Sequence, residues 1–557
     1  MTFSVLGFET LPIFKRLAIR AGSTVGKQRG SIVRLGRAIK IPFKRFQMSV
    51  TKTSSPVSEY LSSRSADQIN PAMLGYVANL QQVAEVNPAI AASIVQELED
   101  QRRHLKLIAS ENFTSLNTQA AMGNLLTDKY AEGFAGSRYY AGCDNIDAIE
   151  TEACQQACRL FNAEHAYVQP HSGADANMIA FWAIIQARVG TPLMEEIGEG
   201  NPAKMSRDDW NRVRAAMGNQ KMLGLDYYSG GHLTHGYRFN VSAQFFDAYN
   251  YSVSRETGLL DYDALEAQAK EIQPLILLAG YSAYPRKVNF RRMKEIADKV
   301  GAVFMVDMAH FAGLVAGDVF EGDYNPMPFA DVVTTTTHKT LRGPRGGIIL
   351  CKKEFAEYVD KGCPLVIGGP LPHMMAAKAV AFKEANEPEF KSYAAKIVQN
   401  CQALAQGLID EGLTVCTGGT DNHLLLIDVT PFGLNGRQAE AAVRECGITL
   451  NRNSLPFDPN GPHYTSGLRV GTPAITSLGM GEPEMREIAA IFKLILSNAT
   501  PHTLEKGKNA GQLSKVKYNL DTKIIDEGRS RIEALLDAFV LYPDLDLEFL
   551  KSQFGNA

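Results

Sequence analysis

Asp331-Val-Val-Thr-Thr-Thr-Thr-His-Lys-Thr-Leu-Arg-Gly-Pro-Arg-Gly-Gly347 sets a β-branched run against a glycine-rich turn, with a single lysine, Lys339, where the two meet. β-Branched side chains fit a pleated surface, so the run reads as a buried strand. A lysine that attacks a carbonyl has to be partly desolvated so that its pKa falls. The end of a strand fixes its backbone while leaving its tip in a cleft. The neighbouring threonines and backbone N–H groups suit a phosphate. A strand ending in a basic surface turn has the same local pattern, so the choice rests on the rest of the chain.

Upstream, Gly301-Ala-Val-Phe-Met-Val-Asp-Met-Ala-His310 is an apolar strand that ends in Asp307, with His310 three residues on. Open α/β sheets bind ligands at the carboxyl ends of their strands. An acid there can pair with a pyridinium nitrogen and keep it protonated, the arrangement that makes pyridoxal phosphate an electron sink. Alone, Asp307 would read as a helix N-cap. Together with Lys339 on what reads as the next strand, it reads as a cofactor site.

Between Ser110 and about Pro370, apolar strands alternate with helical stretches, the pattern of a parallel α/β sheet. Helical patterning from Ser65 to Leu107 predicts an N-terminal arm. Beyond Leu371, Met374 to Asn386 opens a helix-rich part, and Asn422 to Val429 supplies a strand. The expected division is a basic extension over 1–55, a helical arm over 56–110, a large domain over 111–372 with an inserted segment at 194–222, and a small C-terminal α/β domain over 373–557.

With 557 residues, 45% hydrophobic and 21% charged, the chain has ordinary globular composition and length for more than one domain. A net charge of -3 gives no hint of nucleic acid. The eight cysteines show no zinc spacing and no C-x-x-C pair, which points to reduced thiols and no metal. No apolar run approaches the length that spans a bilayer. The first fifty residues carry ten Lys or Arg against one acid, Glu9. A transit peptide, a basic tail that visits RNA or anionic membrane, and translated sequence ahead of a start at Met48 all fit them. Cytoplasmic placement is expected, or an organelle matrix if the segment is a transit peptide.

Eight motifs occur in family order: Ala109-Ser-Glu-Asn112, Lys129-Tyr-Ala-Glu-Gly133, Arg138-Tyr-Tyr140, Val168-Gln-Pro-His-Ser-Gly173, Gly230-Gly-His-Leu-Thr-His-Gly236, Val306-Asp-Met-Ala-His310, Thr334 to Gly347, and Thr465-Ser-Gly-Leu-Arg-Val-Gly-Thr-Pro-Ala474. From about residue 70 to about residue 500 the sequence resembles serine hydroxymethyltransferase. The resemblance implies the aspartate-aminotransferase-like α/β fold (fold type I), with a large parallel-sheet domain, a smaller C-terminal domain and a cleft between them. It implies pyridoxal 5'-phosphate as cofactor and tetrahydrofolate as co-substrate. The implied reaction is the reversible transfer of the hydroxymethyl carbon of L-serine to tetrahydrofolate, giving glycine and 5,10-methylenetetrahydrofolate.

Carried over by motif, Lys339 holds the cofactor, Asp307 its ring nitrogen, and His232 stacks on its ring. Ser172 and Gly173, at a helix start, take the phosphate. Ser282, His310, Thr336, His338, Gly368 and Gly369 complete the cofactor set. Arg469, in a Gly/Thr-rich loop, grips the substrate carboxylate with its planar fork. Ser110, Gly231, Leu233 and Asn453 join it in binding serine and folate. Glu132 is the acid/base carboxylate, enclosed between Tyr130, Tyr139 and Tyr140. Tyr130, Glu132, Tyr140 and the Gly368-Gly369 pair are implied to enter a partner subunit's site, in a homodimer or dimer of dimers with shared active sites and no nucleic-acid or membrane partner.

Three departures stand out. Ala174 replaces a third polar residue at the phosphate, and Leu365-Val-Ile-Gly-Gly369 replaces a more glycine-rich loop, which stiffens it. The stretch from His171 to His232 is longer than the family's usual crossover, and its excess, Met194 to Met222 with a capping box at Ser206-Arg-Asp-Asp209, reads as an inserted surface helix rather than a partner-binding element. A β-hydroxy amino acid aldolase without a working folate pocket and an inactive or RNA-binding scaffold are the alternative functions. The retained Lys339, Asp307, His232 and Arg469 argue against the scaffold.

Overall fold

Val332–Thr336 is the third strand from one edge of a seven-stranded sheet, buried along its whole length. The computed structural model describes residues 55–507 and 509–555, so the expectations for the basic N-terminal segment lie outside the described residues. The strands of this sheet are β1 (His165–Tyr167), β2 (Lys221–Leu225), β3 (Asp247–Tyr251), β4 (Ile276–Gly280), β5 (Val303–Asp307), β6 (Val332–Thr336) and β7 (Gly347–Cys351), in the spatial order β1-β7-β6-β5-β4-β2-β3.

β4 to β7 are buried at every position, which is why they read as continuous apolar runs rather than alternating ones. Alternation reappears in the packing. Leu277, Phe304, Val306 and Val333 face one core, while Ile276, Val303, Met305 and Val332 face another on the opposite side. Each such side chain contributes up to about 1.5–3 kcal/mol by leaving water.

The sheet is not wholly parallel, as the sequence pattern had suggested. β5 pairs in parallel with β4 and β6, but β7 runs antiparallel to both β6 and β1. The reason lies in the turn that comes after Lys339. Thr337 N–H donates to Gly346 O (3.1 Å) and Gly343 N–H to Thr337 O (2.7 Å), closing a hairpin. A parallel return would need a crossover of about a dozen residues or more.

A second, all-antiparallel sheet holds β8 (Thr414–Val415), β9 (Leu424–Asp428), β10 (Asn451–Asn453) and β11 (Gly467–Gly471), in the order β8-β9-β11-β10. It has its own core, built with the helices Pro388–Asp410 and Glu482–Asn498. Arg469 lies in the middle of β11, paired with Leu426 and Asn451, and not in the expected loop. Its glycine neighbours serve close packing rather than turning. A Cβ on Gly467 would meet Leu455 at 2.4 Å, and one on Gly471 would meet Ala109 at 2.4 Å.

Helices Pro56–Ser62, Pro71–Val86 and Pro88–Arg103 share a core with the last helix, Leu547–Phe554. The chain then forms a separate two-stranded parallel sheet, Leu105–Lys106 with Ile448–Thr449, and Leu107 O accepts from Gly471 N–H (2.8 Å) at the end of β11. That stitch sets Ala109 against Gly471 of β11 and Ser110 at the cleft. In the 194–222 segment, Ser206 caps the helix Arg207–Gly218 by accepting from Asp209 N–H (3.1 Å), and Val213 is its one buried residue. The segment's last two residues already belong to β2.

Gly280 ends β4 with φ +126°, and a Cβ there would lie 2.1 Å from the carbonyl oxygen of Asp307. Gly280→Ala should therefore destabilise the protein by about 2 kcal/mol or more, strain and clash adding. Gly75, inside the helix Pro71–Val86, has open space around it, and an added methyl would meet nothing within 4 Å. Gly75→Ala should stabilise by about 0.5–1 kcal/mol. Urea unfolding of the two variants checks the opposite signs, and equal shifts would contradict the packing described.

Candidate active site

A cleft of about 320 Å³ opens where the carboxyl ends of β4, β5 and β6 face the second sheet. Ser110, Gly231, His232, Leu233, Ser282, His310, Lys339, Asn453 and Arg469 line it, all of them expected from the sequence. Tyr227, Asn451, Arg452 and Ser454 line it as well and were not singled out.

Lys339 lies three residues beyond β6. Its carbonyl accepts from Asn112 Nδ2 (2.8 Å), and Asn112 is in turn held by Tyr393 Oη (2.7 Å) and Ser477 Oγ (2.7 Å). The Nζ makes no hydrogen bond or ion pair among the described residues. Burial, aided by the charges of Arg469 and Arg345 and opposed by Asp307, brings its pKa down to about 8. A lysine so poised presents a neutral amine far more often than a surface lysine does.

Asp307 is the last residue of β5 and 7% exposed. Its Oδ2 accepts from Asn177 Nδ2 (2.9 Å) and meets His235 Nε2 (3.2 Å), and Oδ1 accepts from Ala309 N–H (3.0 Å). Burial alone would raise its pKa, but the hydrogen bond and charge of His235, the charge of His232 and the Asn177 bond hold it well below the usual carboxylate range. Asn177 is itself fixed by Thr334 Oγ1, which donates to its Oδ1 (2.6 Å). His232, His235 and Asp307 bring ligand-type atoms within 4.8 Å of one another, and the contacts already formed among them and their neighbours are hydrogen bonds.

His232 opens a short turn in which its Nδ1 accepts from Thr234 N–H (3.2 Å) and meets Thr234 Oγ1 (2.8 Å). Burial first, then nearby positive charge, lowers its pKa to about 4, so the ring is neutral at physiological pH. His310 meets His423 through Nδ1 and Nε2 at 3.2 Å, and burial holds both rings well below the ordinary imidazole value.

Arg469 Nη1 donates to Ser282 O (2.6 Å) and Nε to Asn451 Oδ1 (3.1 Å), which leaves Nη2 unpaired among the described residues. Burial lowers its pKa to about 10. Half of a guanidinium fork is thus tied to the protein and the rest is available to a ligand.

Ser172 is the N-cap of the helix Gly173–Ile185, its Oγ accepting from Asp175 N–H (3.1 Å). A Cβ on Gly173 would meet Thr336 Cγ2 at 2.7 Å, so the helix start lies directly on β6. The Thr336 hydroxyl donates to Ala309 O (3.2 Å). His338 Nδ1 receives Gly346 N–H at 3.5 Å, and burial drives its pKa down to about 3.

Glu132, Tyr130, Tyr139, Tyr140, Gly368 and Gly369 do not line this cleft. Tyr130 Oη donates to Glu132 Oε1 (3.4 Å), Tyr130 and Tyr140 meet edge to face at 5.1 Å, and a Cβ on Gly369 would touch the Tyr130 ring at 3.3 Å. The expected enclosure of Glu132 by three tyrosines is absent within one chain. Tyr130, Tyr139 and Tyr140 are 55%, 70% and 47% exposed, because the short hairpin Gly133–Phe134/Ser137–Arg138 carries them on the surface. In the 365–369 loop, Val366 and Ile367 pack onto the core of Tyr167 and Ile179, which holds its first half down.

Two of the residues missed from sequence did leave signals. His235 shares the Gly-Gly-His-Leu-Thr-His motif with His232, and Asn177 is a lone amide in the apolar helix Gly173–Ile185. His423 and Asn451 had no comparable mark.

The family profile described as serine hydroxymethyltransferase matches residues 83–196 and 211–492. A serine hydroxymethyltransferase of Treponema pallidum is 60% identical over 501 residues, covering 90% of this chain and 87% of the relative. Those of Salinispora tropica and Cutibacterium acnes are 54% and 52% identical, each covering 86% of this chain and 99% and 97% of their own. A mixed α/β sheet with a desolvated lysine after one strand and a buried aspartate ending the next defines a pyridoxal-phosphate enzyme of the fold type I class. Within that class, the chain belongs to the serine hydroxymethyltransferase family.

The lysine's environment yields a signed expectation. Capture of a simple aldehyde by Lys339 in cofactor-free protein should speed up with pH and level off above about 8, where the amine is neutral. Asp307 is the charge that raises this pKa, so Asp307→Asn should move the midpoint to lower pH. Borohydride trapping with subsequent peptide mapping reads the rate at each pH. A midpoint that moves upward would contradict the electrostatics described.

Proposed function

We propose that this chain catalyses the reversible transfer of the hydroxymethyl carbon of L-serine to tetrahydrofolate, with the cleft around Lys339 holding pyridoxal 5'-phosphate. The observation that carries the reading is one cleft lined by a buried unpaired amine and a half-free guanidinium, with the buried Asp307 carboxylate behind it, near enough for its charge to act on the lysine. The residues fit the cofactor. Lys339 Nζ lacks any partner among the described residues, Asp307 is charged at depth, and the capped helix start of Ser172–Gly173 abuts β6. When bound, pyridoxal phosphate supplies an aldehyde and an electron-withdrawing ring.

Lys339 provides the neutral amine. Asp307 supplies the negative charge that keeps a proton on the ring nitrogen, and its three hydrogen bonds keep it ionised. His232, neutral and fixed by Thr234, offers a flat face for the ring to stack on. Ser172, Gly173, Ser282, His310, Thr336 and His338 form the remainder of its pocket, with Gly368 and Gly369 contributed by a second copy. Arg469 orients the amino acid through two parallel hydrogen bonds to its carboxylate, with Ser110 beside it. Gly231, Leu233 and Asn453 bind the folate.

Glu132, with Tyr130, Tyr139 and Tyr140, serves the cleft of a second copy in a homodimer. The exposure of the three tyrosines beside a half-buried Glu132 supports this. In that setting Glu132 moves the proton between serine's hydroxyl and folate. The large domain over 111–372 then supplies the cofactor and the small one over 373–557 the carboxylate grip. All eight cysteines are free, and among the described residues no helix is long and apolar enough to cross a membrane. The cytoplasm is the compartment this reading assigns.

Arg469→Lys should raise the Michaelis constant for serine roughly 10- to 150-fold, since an ammonium cannot reproduce a forked pair and one charged hydrogen bond is worth about 1.5–3 kcal/mol. Steady-state kinetics that show lost turnover at unchanged serine affinity would count against carboxylate binding.

Glu132→Gln should lower folate-dependent turnover by about 10²–10⁴-fold, the usual worth of general acid/base help. Folate-independent cleavage of a β-aryl or β-methyl serine should fall much less. Paired rates on one preparation test this, and equal losses on both substrates would make Glu132 structural.

A further inference from the structure

Lys378 is 1% exposed and has no carboxylate partner among the described residues. It projects from the helix Pro372–Ala385, and its Nζ donates to three backbone carbonyls: Val168 O at 2.6 Å, Pro170 O at 3.0 Å and Gly347 O at 2.9 Å. A buried ammonium is costly, and partial dipoles compensate it less fully than a charged partner would. Its location is informative because the three carbonyls belong to two segments that meet at the start of the helix Gly173–Ile185.

Val168 and Pro170 lead into His171-Ser172, and Gly347 opens β7 just after the Lys339 hairpin. Gly347 N–H donates to Pro170 O (3.0 Å), and a Cβ on Gly347 would fall 2.4 Å from Ser172 O and 3.2 Å from Gly173 N. A Cβ on Gly346 would lie 2.6 Å from Lys378 Cε, and Gly346 N–H reaches His338. Lys378 thus sits one residue layer behind Ser172, Gly173 and His338. The intervening Gln169 is clamped the other way, donating to Gly133 O (2.8 Å) and Glu150 Oε1 (2.8 Å).

We propose that Lys378 is a positioning residue for the phosphate of the cofactor, fixing the two backbone segments that cradle it and setting a positive charge behind the helix start that faces it. This rests on the reading of the cleft as a pyridoxal phosphate site. Uncompensated positive charge and aligned helix N–H groups both favour a dianion there. The charge is also titratable. Burial lowers the Lys378 pKa to about 7, while Cys154, Glu150 and Asp175 act to raise it. Cys154 and Glu150 face it from the helix Asp144–Phe161 and Asp175 from the helix Gly173–Ile185, with His338 on the hairpin side. Burial pushes the Cys154 thiol up and raises Glu150, which is paired with Arg138, and His338 is neutral at physiological pH.

Linkage sets the sign. Above about pH 7 the ligand-free protein loses the Lys378 proton, whereas a bound dianion favours its return, so phosphate binding takes up a proton and weakens as pH rises. The ligand's own phosphate is already dianionic there, its second pKa being about 6.

The test measures dissociation constants of pyridoxal 5'-phosphate and of pyridoxal for cofactor-stripped full-length protein from pH 7 to 9, by fluorescence, in wild type and Lys378→Met. In wild type the advantage of the phosphorylated form should fall about tenfold across that range, and in the variant it should be small and flat. A clamp that only shapes the backbone would weaken both ligands alike and leave the wild-type pH profile in the variant, which would overturn the proposal. Should the variant fold poorly, calorimetry of wild type with inorganic phosphate at pH 8, in buffers of different ionisation enthalpy, decides instead. Proton uptake is expected, and none would overturn the proposal. Failure of wild type to bind pyridoxal phosphate at all would overturn the cofactor reading itself.

Discussion

Keeping one amine buried, unpaired and next to a carboxylate is the constraint around which the cleft is built. An isolated ammonium in the interior costs several kcal/mol, and the protein meets that cost by lowering the proton affinity of Lys339 rather than by pairing it. Its Nζ is left free while its backbone is tied down. The carbonyl of Lys339 is held by Asn112, and Asn112 by Tyr393 and Ser477, residues distant in sequence. Asp307 is treated oppositely, with every hydrogen bond serving to keep it charged.

The two sheets divide this work. β5 and β6 carry Asp307 and lead to Lys339, and they are rigid because both faces are packed. β11 carries Arg469 on a separate core, and at the cleft the links across are Arg469 to Ser282 O, His310 to His423, and Asn422 to Tyr281 and Tyr284 O. Ser282 N–H in turn donates to Gly230 O (2.7 Å), at the start of the His232 motif. The carboxylate grip and the ring-stacking histidine are therefore joined through one short backbone path.

Much of this was legible in the chain because strands buried on both faces leave unbroken apolar runs, and Val303–Asp307 and Val332–Thr336 both fall where such runs end. The glycine-rich turn after Lys339 marked a break without showing that the chain returns antiparallel, since a hairpin and a crossover can both leave a strand through the same kind of turn. Arg469 was misread as a loop residue because its flanking glycines look like turn residues. They are there because Leu455 and Ala109 leave no room for a Cβ. Lys378 left no trace, as a lysine in a helix is ordinarily solvated. The apparent enclosure of Glu132 failed for a different reason: aromatic neighbours in sequence become walls only when another surface closes over them.

The neutral imidazoles carry a consequence for life at low pH. His232, His338 and His423 keep their protons off until about pH 4, 3 and 3, whereas the same groups in an unfolded chain charge near 6.5. Between those limits the unfolded chain binds more protons than the folded one, so acidification favours unfolding. The cleft's own potential stays constant over that interval, because Lys339 and Arg469 remain positive and Asp307 negative throughout. Mild acid therefore weakens the fold through these imidazoles while Lys339, Arg469 and Asp307 keep their charges.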